Sequence, residues 1–324
     1  MDGIRVFVLI IMFSYLSFSC KKSRIADLDK PVKGFILLSN HRANNLRKLD
    51  SAVSWGINHI ELSHYQLCHF LKDMRDSICR SDVNFLANEA VKRGIKEIFV
   101  WDHAFYEMDY YPDRFKVPAD SSAVFFHHTQ RFAGGMEMQL NLDDPGFWNW
   151  VYNDYDSLLA LVPDINGIVL TFIETGSYVI YQHSLKATTP EEKIAMLVDS
   201  LAEYFVDRKG LQLTIRTFIY NRFEKDGMVK ALSLIKHKNI RVMIKMVPHD
   251  WFLTYPYEDY VADILFPVVI EYDGGMEYCG ENIIANSFPR YFDDGFNYYH
   301  QFPNVVGFCA RTDRYGETSA MYSR

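Results

Sequence analysis

Eight short apolar runs, rich in β-branched residues, recur along the chain between segments of helical pattern. Continuous apolar runs of this length are typical of strands covered on both faces, as in a parallel sheet wrapped by helices. Alternating strands and helices in this number predict an α/β fold, a (β/α)8 TIM barrel. The predicted strands are residues 34–38, 57–62, 97–101, 167–172, 211–215, 241–244, 264–270 and 305–309.

The helical segments begin and end at residues that commonly cap helices. The sequence Thr189-Pro-Glu-Glu192 is a capping box with proline at the first helical position, and it predicts a helix that continues to about Arg208. Asp144 and the proline after it similarly predict a helix over 147–161. Gly94 follows a third helical segment just before a predicted strand.

The chain is expected to fold as one domain over residues 31–324, because no repeat or low-complexity linker interrupts the pattern. Residues 1–20 and 21–30 are predicted to be a signal peptide and a linker. Little sequence follows the eighth run, so the prediction includes a barrel without its last helix. Residues 104–143 form a long insertion rich in Tyr, Phe, His and Asp. Loops of that length in a compact domain are usually functional or mobile.

Composition narrows the classes of function. Of 324 residues, 49% are apolar and 23% are charged, which is ordinary for a globular protein. A net charge of -7 without a basic run argues against nucleic-acid binding. No Cys or Cys/His spacing typical of ligands occurs, and the adjacent His127 and His128 would point apart in an extended chain. We therefore predict no metal and no cofactor. The aromatic fraction of 15% suits sugar binding, because aromatic rings pack well against the apolar faces of sugars.

The N-terminus has the order of a secretory signal. Arg5 precedes an apolar run over residues 6–13, which is too short to span a bilayer, and small residues lead to Cys20. Leu16-Ser-Phe-Ser-Cys20 resembles the box of bacterial lipoproteins, in which Cys20 would carry the lipid. The sequence therefore predicts a membrane-anchored lipoprotein of the bacterial cell envelope, at the outer membrane or the periplasmic face. An ordinary signal peptide with an incidental cysteine is the alternative.

Glu174 and Glu271 are the first candidates for catalysis. Glu174 follows the fourth predicted strand and Glu271 follows the seventh, and these strands lie on opposite sides of one mouth in a closed eight-strand barrel. Two carboxylates across a groove can cleave a glycosidic bond, because one protonates the leaving oxygen and the other attacks or activates water. Glu174 is the predicted acid, since the apolar Phe172 and Ile173 favour burial, which raises a carboxyl pKa. Glu271 or Asp250 is the predicted base or nucleophile.

The other strand ends also carry ionisable side chains, which a purely structural mouth seldom collects. Arg216, Lys245 and Arg311 are predicted to keep the carboxylates ionised or to grip an acidic substrate, because the Arg fork binds both oxygens of a carboxylate. Trp101 would either stack on a sugar ring or face the core. The predicted substrate-binding residues are Asp102, His103, Arg216, Lys245, His249, Trp251, Arg311 and Asp313.

A resemblance to a known family rests on short motifs. Ile244-Lys-Met-Val-Pro-His-Asp250 and Val269-Ile-Glu-Tyr-Asp-Gly274 resemble the strand-six and strand-seven segments that carry the two basic carboxylates of the α-glucuronidases in glycoside hydrolase family 67. Ile173-Glu-Thr-Gly176 is a looser match to the strand-four segment that carries their general acid. The resemblance covers roughly residues 165–315. It implies an inverting hydrolase in which Glu174 is the acid, and Asp250 and Glu271 activate water.

These observations together predict a glycoside hydrolase that acts on a polysaccharide or oligosaccharide, and the cationic strand ends favour one that bears uronic acids. Two other classes of protein fit the same pattern. One is a carbohydrate-binding surface lipoprotein whose barrel has lost catalysis. The other is a uronate lyase or isomerase that uses Lys245 and His249 as bases.

Overall fold

The computed structural model describes residues 31–39, 41–63, 69–120, 137–173, 175–219, 222–248, 255–274 and 288–312. The strands are β1 (Val32–Leu37), β2 (His59–Leu62), β3 (Glu97–His103), β4 (Lys116–Pro118), β5 (Met138–Leu140), β6 (Gly167–Thr171), β7 (Gln212–Thr217), β8 (Arg241–Lys245), β9 (Val268–Tyr272) and β10 (Val305–Arg311). The α-helices are α1 (Arg42–Ser54), α2 (Phe70–Asp73), α3 (Ser77–Lys92), α4 (Pro145–Leu159), α5 (Pro190–Ala202), α6 (Arg222–Leu234) and α7 (Pro289–His300).

Eight of the described strands form a closed parallel barrel in the order β1-β2-β3-β6-β7-β8-β9-β10, and β10 pairs with β1. At the closure, Gly34 of β1 lies opposite His59 of β2 on one side and Cys309 of β10 on the other. Each of the eight predicted strands is present, with ends that differ by a few residues. The prediction of a (β/α)8 barrel is therefore confirmed.

The barrel wall separates two apolar cores. Inside the barrel, a small cluster that includes Ile36 and Trp101 fills the axis. Outside the wall, a large cluster that includes Val100 and Leu170 packs the strands against the helices. Successive side chains of a strand point to opposite faces. The phase of a residue within its strand therefore decides whether it meets the axis or the helices.

The predicted helix starts are confirmed at two positions. Thr189 accepts a hydrogen bond from the backbone of Glu192, whose side chain accepts one from the backbone of Thr189, so the capping box at the start of α5 is complete. After Ala202, the chain continues as a π-helix to Arg208, where the predicted helix ends. Asp144 caps α4 by accepting a hydrogen bond from the backbone of Gly146.

The insertion after β3 is only partly irregular. In its described part, β4 and β5 form a two-stranded antiparallel sheet in which Lys116 lies opposite Leu140. His127 and His128 lie outside the described residues. None of the helices among the described residues is long and apolar enough to cross a membrane.

The outer face of β10 and β1 carries a groove of about 750 Å³, lined among others by Tyr272, Phe296 and Phe308. A right-handed connection from β10 would bring the next helix over this face of the barrel. Residues 313–324 lie outside the described residues, so a barrel without its last helix stays a prediction.

Candidate active site

Three charged side chains meet at the carboxyl ends of the barrel strands. Arg216 of β7 donates to both oxygens of Glu271 of β9, from Nε to Oε2 at 2.6 Å and from Nη2 to Oε1 at 3.3 Å. Nη1 of Arg311, at the end of β10, lies 4.0 Å from Oε1 of Glu271. All three side chains are buried. Burying a carboxylate costs free energy unless it is paired and hydrogen-bonded, and the two arginines provide these partners.

Aromatic rings support the cations of this cluster. The guanidinium of Arg216 lies 4.9 Å from the centre of the Trp101 ring and 5.2 Å from that of Phe218. Nζ of Lys245, at the end of β8, lies 3.7 Å from the centre of the Phe218 ring. Cation–π contacts gain strength when water is excluded, and Lys245 is buried. The structure thus brings Arg216, Lys245 and Arg311 together at one end of the barrel, as predicted from the strand ends.

Trp101 faces the core, which was one of its two predicted roles. Its Nε1 donates to Oε2 of Glu61 at 2.7 Å inside the barrel. Oε1 of Glu61 lies 2.9 Å from Nε2 of His59, and Sγ of Cys309 donates to the same oxygen at 3.2 Å. Nδ1 of His59 lies 2.8 Å from Oε2 of Glu97. The layer below the charged mouth is therefore a continuous hydrogen-bonded network.

The charged groups of this network are hydrogen-bonded to one another. Burial opposes charge on His59, but the hydrogen bonds that its ring makes to the carboxylates of Glu61 and Glu97 outweigh burial and raise the His59 pKa. Burial likewise opposes ionisation of Glu97, but His59 and Arg241 outweigh it and lower the Glu97 pKa to about 2. The ligand atoms of His59, Glu61 and Cys309 lie within 4.8 Å of one another, so they are close enough to hold a metal ion. Their hydrogen bonds to each other give them a structural role that needs no ion.

Asp102 lies on the other side of the barrel wall. It shares the phase of Val100, and its carboxylate accepts a hydrogen bond from the backbone of Phe70 at 2.9 Å and one from the hydroxyl of Tyr155. Burial raises the pKa of Asp102 to about 7. The predicted role in substrate binding is thus corrected, because the side chain points toward the helices and holds the start of α2 and Tyr155.

His103 has the opposite phase and its ring lies near two aromatic side chains, 6.4 Å from Trp101 and 5.5 Å from Tyr106 between ring centres. His69, which was not among the predicted site residues, lies 5.5 Å from the same Tyr106 ring. Burial and the nearby His103 lower the pKa of His69 to about 3. Within the described part of the chain, neither ring nitrogen of His69 has a hydrogen-bond partner. A histidine that precedes a one-turn helix carries no sequence signal that could have identified it.

The remaining predicted site residues lie outside the described residues, and they are Glu174, His249, Asp250, Trp251, Asp313 and Cys20. The residues shortly after Glu174 form backbone hydrogen bonds with the loop that follows β3. The backbone nitrogens of Gly176 and Ser177 donate to the carbonyls of Tyr106 and Phe105 at 2.9 and 3.0 Å. Phe105 has a φ of 58°, which a bulky residue seldom adopts. The loops after β3 and β6 therefore share hydrogen bonds at the mouth.

Two solved structures share this barrel. An O-GlcNAc hydrolase of Thermobaculum terrenum superimposes with a TM-score of 0.54 at 11% identity, over 90% of this chain and 56% of that one. CpGH84B, whose name places it in glycoside hydrolase family 84, superimposes with a TM-score of 0.53 at 10% identity, over 90% of this chain and 46% of that one.

This chain therefore spans about half the length of the two proteins. No family model matches the sequence, and no curated protein matches it. At identities this low, the likeness concerns the fold. The chain has the (β/α)8 barrel that these two glycosidases have.

Proposed function

We propose that this protein is a glycoside hydrolase whose substrate is a polysaccharide or oligosaccharide that bears uronic acids. The observation that carries the proposal is the charge at the mouth. Among the described residues there, the buried cations are Arg216, Lys245 and Arg311, and the buried carboxyl groups are Glu271, Asp273 and Glu258. Burial raises the pKa of Glu258 to about 7, which favours its neutral form. An excess of positive charge in a site of low dielectric favours an anionic ligand. The barrel shared with two glycosidases supports the reaction class.

The proposed mechanism uses two carboxylates. Glu174 donates a proton to the leaving oxygen, and Glu271 or Asp250 attacks the sugar or activates water. Arg216 binds both oxygens of Glu271 and so fixes the position of this carboxyl group. Retention needs the reacting carboxyl groups about 5–5.5 Å apart, whereas inversion needs about 6.5–9.5 Å to admit a water molecule. The family 67 motifs favour inversion, with Asp250 and Glu271 sharing the task.

The test is the release of reducing sugar from two matched panels of oligosaccharides, one that bears uronic acids and one that is neutral. Arg311→Met should reduce kcat/KM for acidic substrates by about 10²-fold, because the carboxylate they carry loses a charged partner. Neutral substrates should change much less, because Arg216 still binds both oxygens of Glu271 in this variant. Arg93→Met is the matched control, since Arg93 pairs with Asp50 of α1 and Glu89 of α3, away from the strand ends. Equal losses on the two panels would leave no reason to favour a uronate.

One observation favours a second function, a carbohydrate-binding protein without catalysis. Both oxygens of Glu271 are engaged by Arg216, and a carboxylate held in this way is a weak nucleophile. Such a protein would retain uronate-bearing glycans on a column and release no sugar from them. A uronate lyase would instead form an unsaturated product, which absorbs ultraviolet light. An isomerase would form a rearranged product without adding water, and mass spectrometry distinguishes it from a hydrolysis product.

The proposal also includes the location. We propose that Cys20 carries lipid and that the barrel is displayed at the bacterial envelope, where it meets extracellular polysaccharide. The support is the charged, apolar and small-residue order that ends at Cys20.

A further inference from the structure

A cavity of about 300 Å³ lies beside the mouth, between the first turns of α5 and α6 and the loop that follows β6. It is separate from the cluster around Glu271 but touches it through Phe218. That ring lines the cavity, and it also lies against the cations of Lys245 and Arg216. Ile173 lines the cavity as well, and it precedes Glu174 in the chain. A molecule that reached from the cationic cluster into the cavity would pass the end of β6.

The walls combine apolar side chains with a few polar groups. Ile194 and Met228 contribute apolar surface from α5 and α6, and Tyr178 and Tyr181 meet edge to face with ring centres 5.5 Å apart. Burial raises the pKa of Tyr181 to about 12, so its hydroxyl keeps its proton as a donor. An apolar wall with convergent polar groups is the usual construction of a small-molecule site.

The charge of the lining is opposite to that of the mouth. Glu191 and Glu224 line the cavity, and none of its described lining residues is basic. Nζ of Lys230 of α6 lies 3.6 Å from Oε2 of Glu191 and offsets part of this charge from outside the lining. A carboxylate ligand would be repelled here, whereas sugar hydroxyls can donate to carboxylates. The lining therefore favours an uncharged ring with an apolar face and hydroxyl groups at its edge.

Gly227 keeps the cavity open on the side of α6. It lies inside the helix and its backbone needs no glycine, because its φ is not positive. Among the described residues, a Cβ atom there would meet only Oε1 of Glu191, at 3.8 Å, which is an ordinary contact. Glycine weakens a helix relative to alanine, so a glycine without a steric reason in a helix suggests another role. At this position, any longer side chain would enter the cavity.

We infer that this cavity is a second binding site, which takes the uncharged sugar on the leaving-group side of the substrate while the cationic cluster takes the acidic sugar. The inference deepens the proposed hydrolase function and rests on it for the order of the two sugars. The cationic cluster and the cavity, which differ in charge and share the Phe218 ring, would each bind one of the two sugars.

The test measures binding directly, so that it does not depend on cleavage. Saturation-transfer NMR is recorded with methyl glycosides of glucose, galactose, mannose and xylose, and with glucuronic acid. We expect at least one neutral glycoside to bind the full-length protein. Gly227→Leu should weaken that binding by about tenfold or more, because its side chain fills the cavity. Gly227→Ala is the matched control and should change it little. Neither variant should alter the binding of glucuronic acid.

Thermal melting establishes that both variants are folded, and Gly227→Ala should melt no lower than the wild type. The inference is overturned if no neutral glycoside binds, or if Gly227→Leu binds it as well as Gly227→Ala does. It is also overturned if glucuronic acid competes for the same cavity. A protein that binds neutral sugars as expected but releases no reducing sugar would contradict the proposed hydrolase and leave this binding site intact.

Discussion

Glu174 is the residue on which the proposed chemistry depends most. Glu174→Gln cannot donate a proton, so cleavage of natural substrates with poor leaving groups should slow by roughly 10²–10⁴-fold, the usual worth of general acid catalysis. Activated aryl glycosides need no proton and should be affected much less. Steady-state kinetics on both substrate types measure the difference.

Glu271→Gln provides the comparison, because the attacking partner is needed whatever group leaves. It should damage the cleavage of natural and activated substrates alike. Full activity of Glu174→Gln on natural substrates would mean that the acid lies elsewhere and that the pairing of strands four and seven is wrong.

Asp102 should make stability depend on pH. Its pKa is about 7 in the folded chain and about 3.9 when unfolded, so between these values the folded protein holds a proton that the unfolded chain releases. The free energy of unfolding should therefore fall as pH rises from about 4 to 7, by up to roughly 1.4 kcal/mol per pH unit from this group. Asp102→Asn has no such proton and should flatten this part of the profile.

Urea denaturation at several pH values between 4 and 8 measures this contribution. Asp226→Asn, at an exposed position of α6, is the matched control. If the profile of Asp102→Asn runs parallel to that of the wild type, Asp102 carries the same charge in both states and its burial does not set its protonation.

The sequence predicted that charged residues at the strand ends would lie close together, and for some of them this is so. Arg216, Glu271 and Arg311 were predicted from position alone, and they do meet. Asp102 was predicted to lie at the mouth because it is at the end of a strand. The prediction did not consider that successive side chains of a strand point to opposite faces, and the Asp102 side chain points toward the helices. Phe218, which lies against two cations of the cluster, was missed, because an aromatic residue after a strand resembles any other core residue.

Among the described helices, α5 has the clearest sequence signal for its start, which is the capping box of Thr189 and Glu192. Thr189→Ala should lower the free energy of unfolding by about 1 kcal/mol, because the hydrogen bond to the backbone of Glu192 is lost. Thr189→Ser keeps the hydroxyl and should remain close to the wild type. Urea denaturation of the three proteins measures the effect, and equal stabilities would show that the cap contributes nothing to this helix.

Strands and helices differed in how far the sequence defined them. Continuous apolar runs located all eight barrel strands, because burial on both faces leaves little else in such a run. The sheet of β4 and β5 was missed, since three-residue strands such as Lys116–Pro118 are too short to show a period. The π-helix over Glu203–Arg208 has the same side-chain pattern as the α-helix before it, so only the hydrogen bonds distinguish it.

The proposed location of the protein at the bacterial envelope depends on Cys20. Cys20→Ser should move the protein from the membrane fraction into a soluble fraction, because the lipid attachment point is lost. Cys79→Ser is the matched control, since Cys79 lies within α3. Cell fractionation and mass spectrometry of the N-terminus measure the outcome. A wild-type protein that is already soluble and begins at another residue would contradict the lipoprotein assignment.

The closure of the barrel between β1 and β10 has a consequence for the order of folding. Thr312 donates to the carbonyl of Ile36, a contact that spans 276 positions of the chain. Until β10 has formed, β1 and β9 each expose a strand edge with unpaired backbone groups. Such edges can pair with a strand of another chain or with the wrong strand of the same chain. Contacts this distant in sequence also form slowly. A chain that leaves the ribosome or crosses a membrane from its N-terminus must therefore keep the barrel open until β10 has emerged.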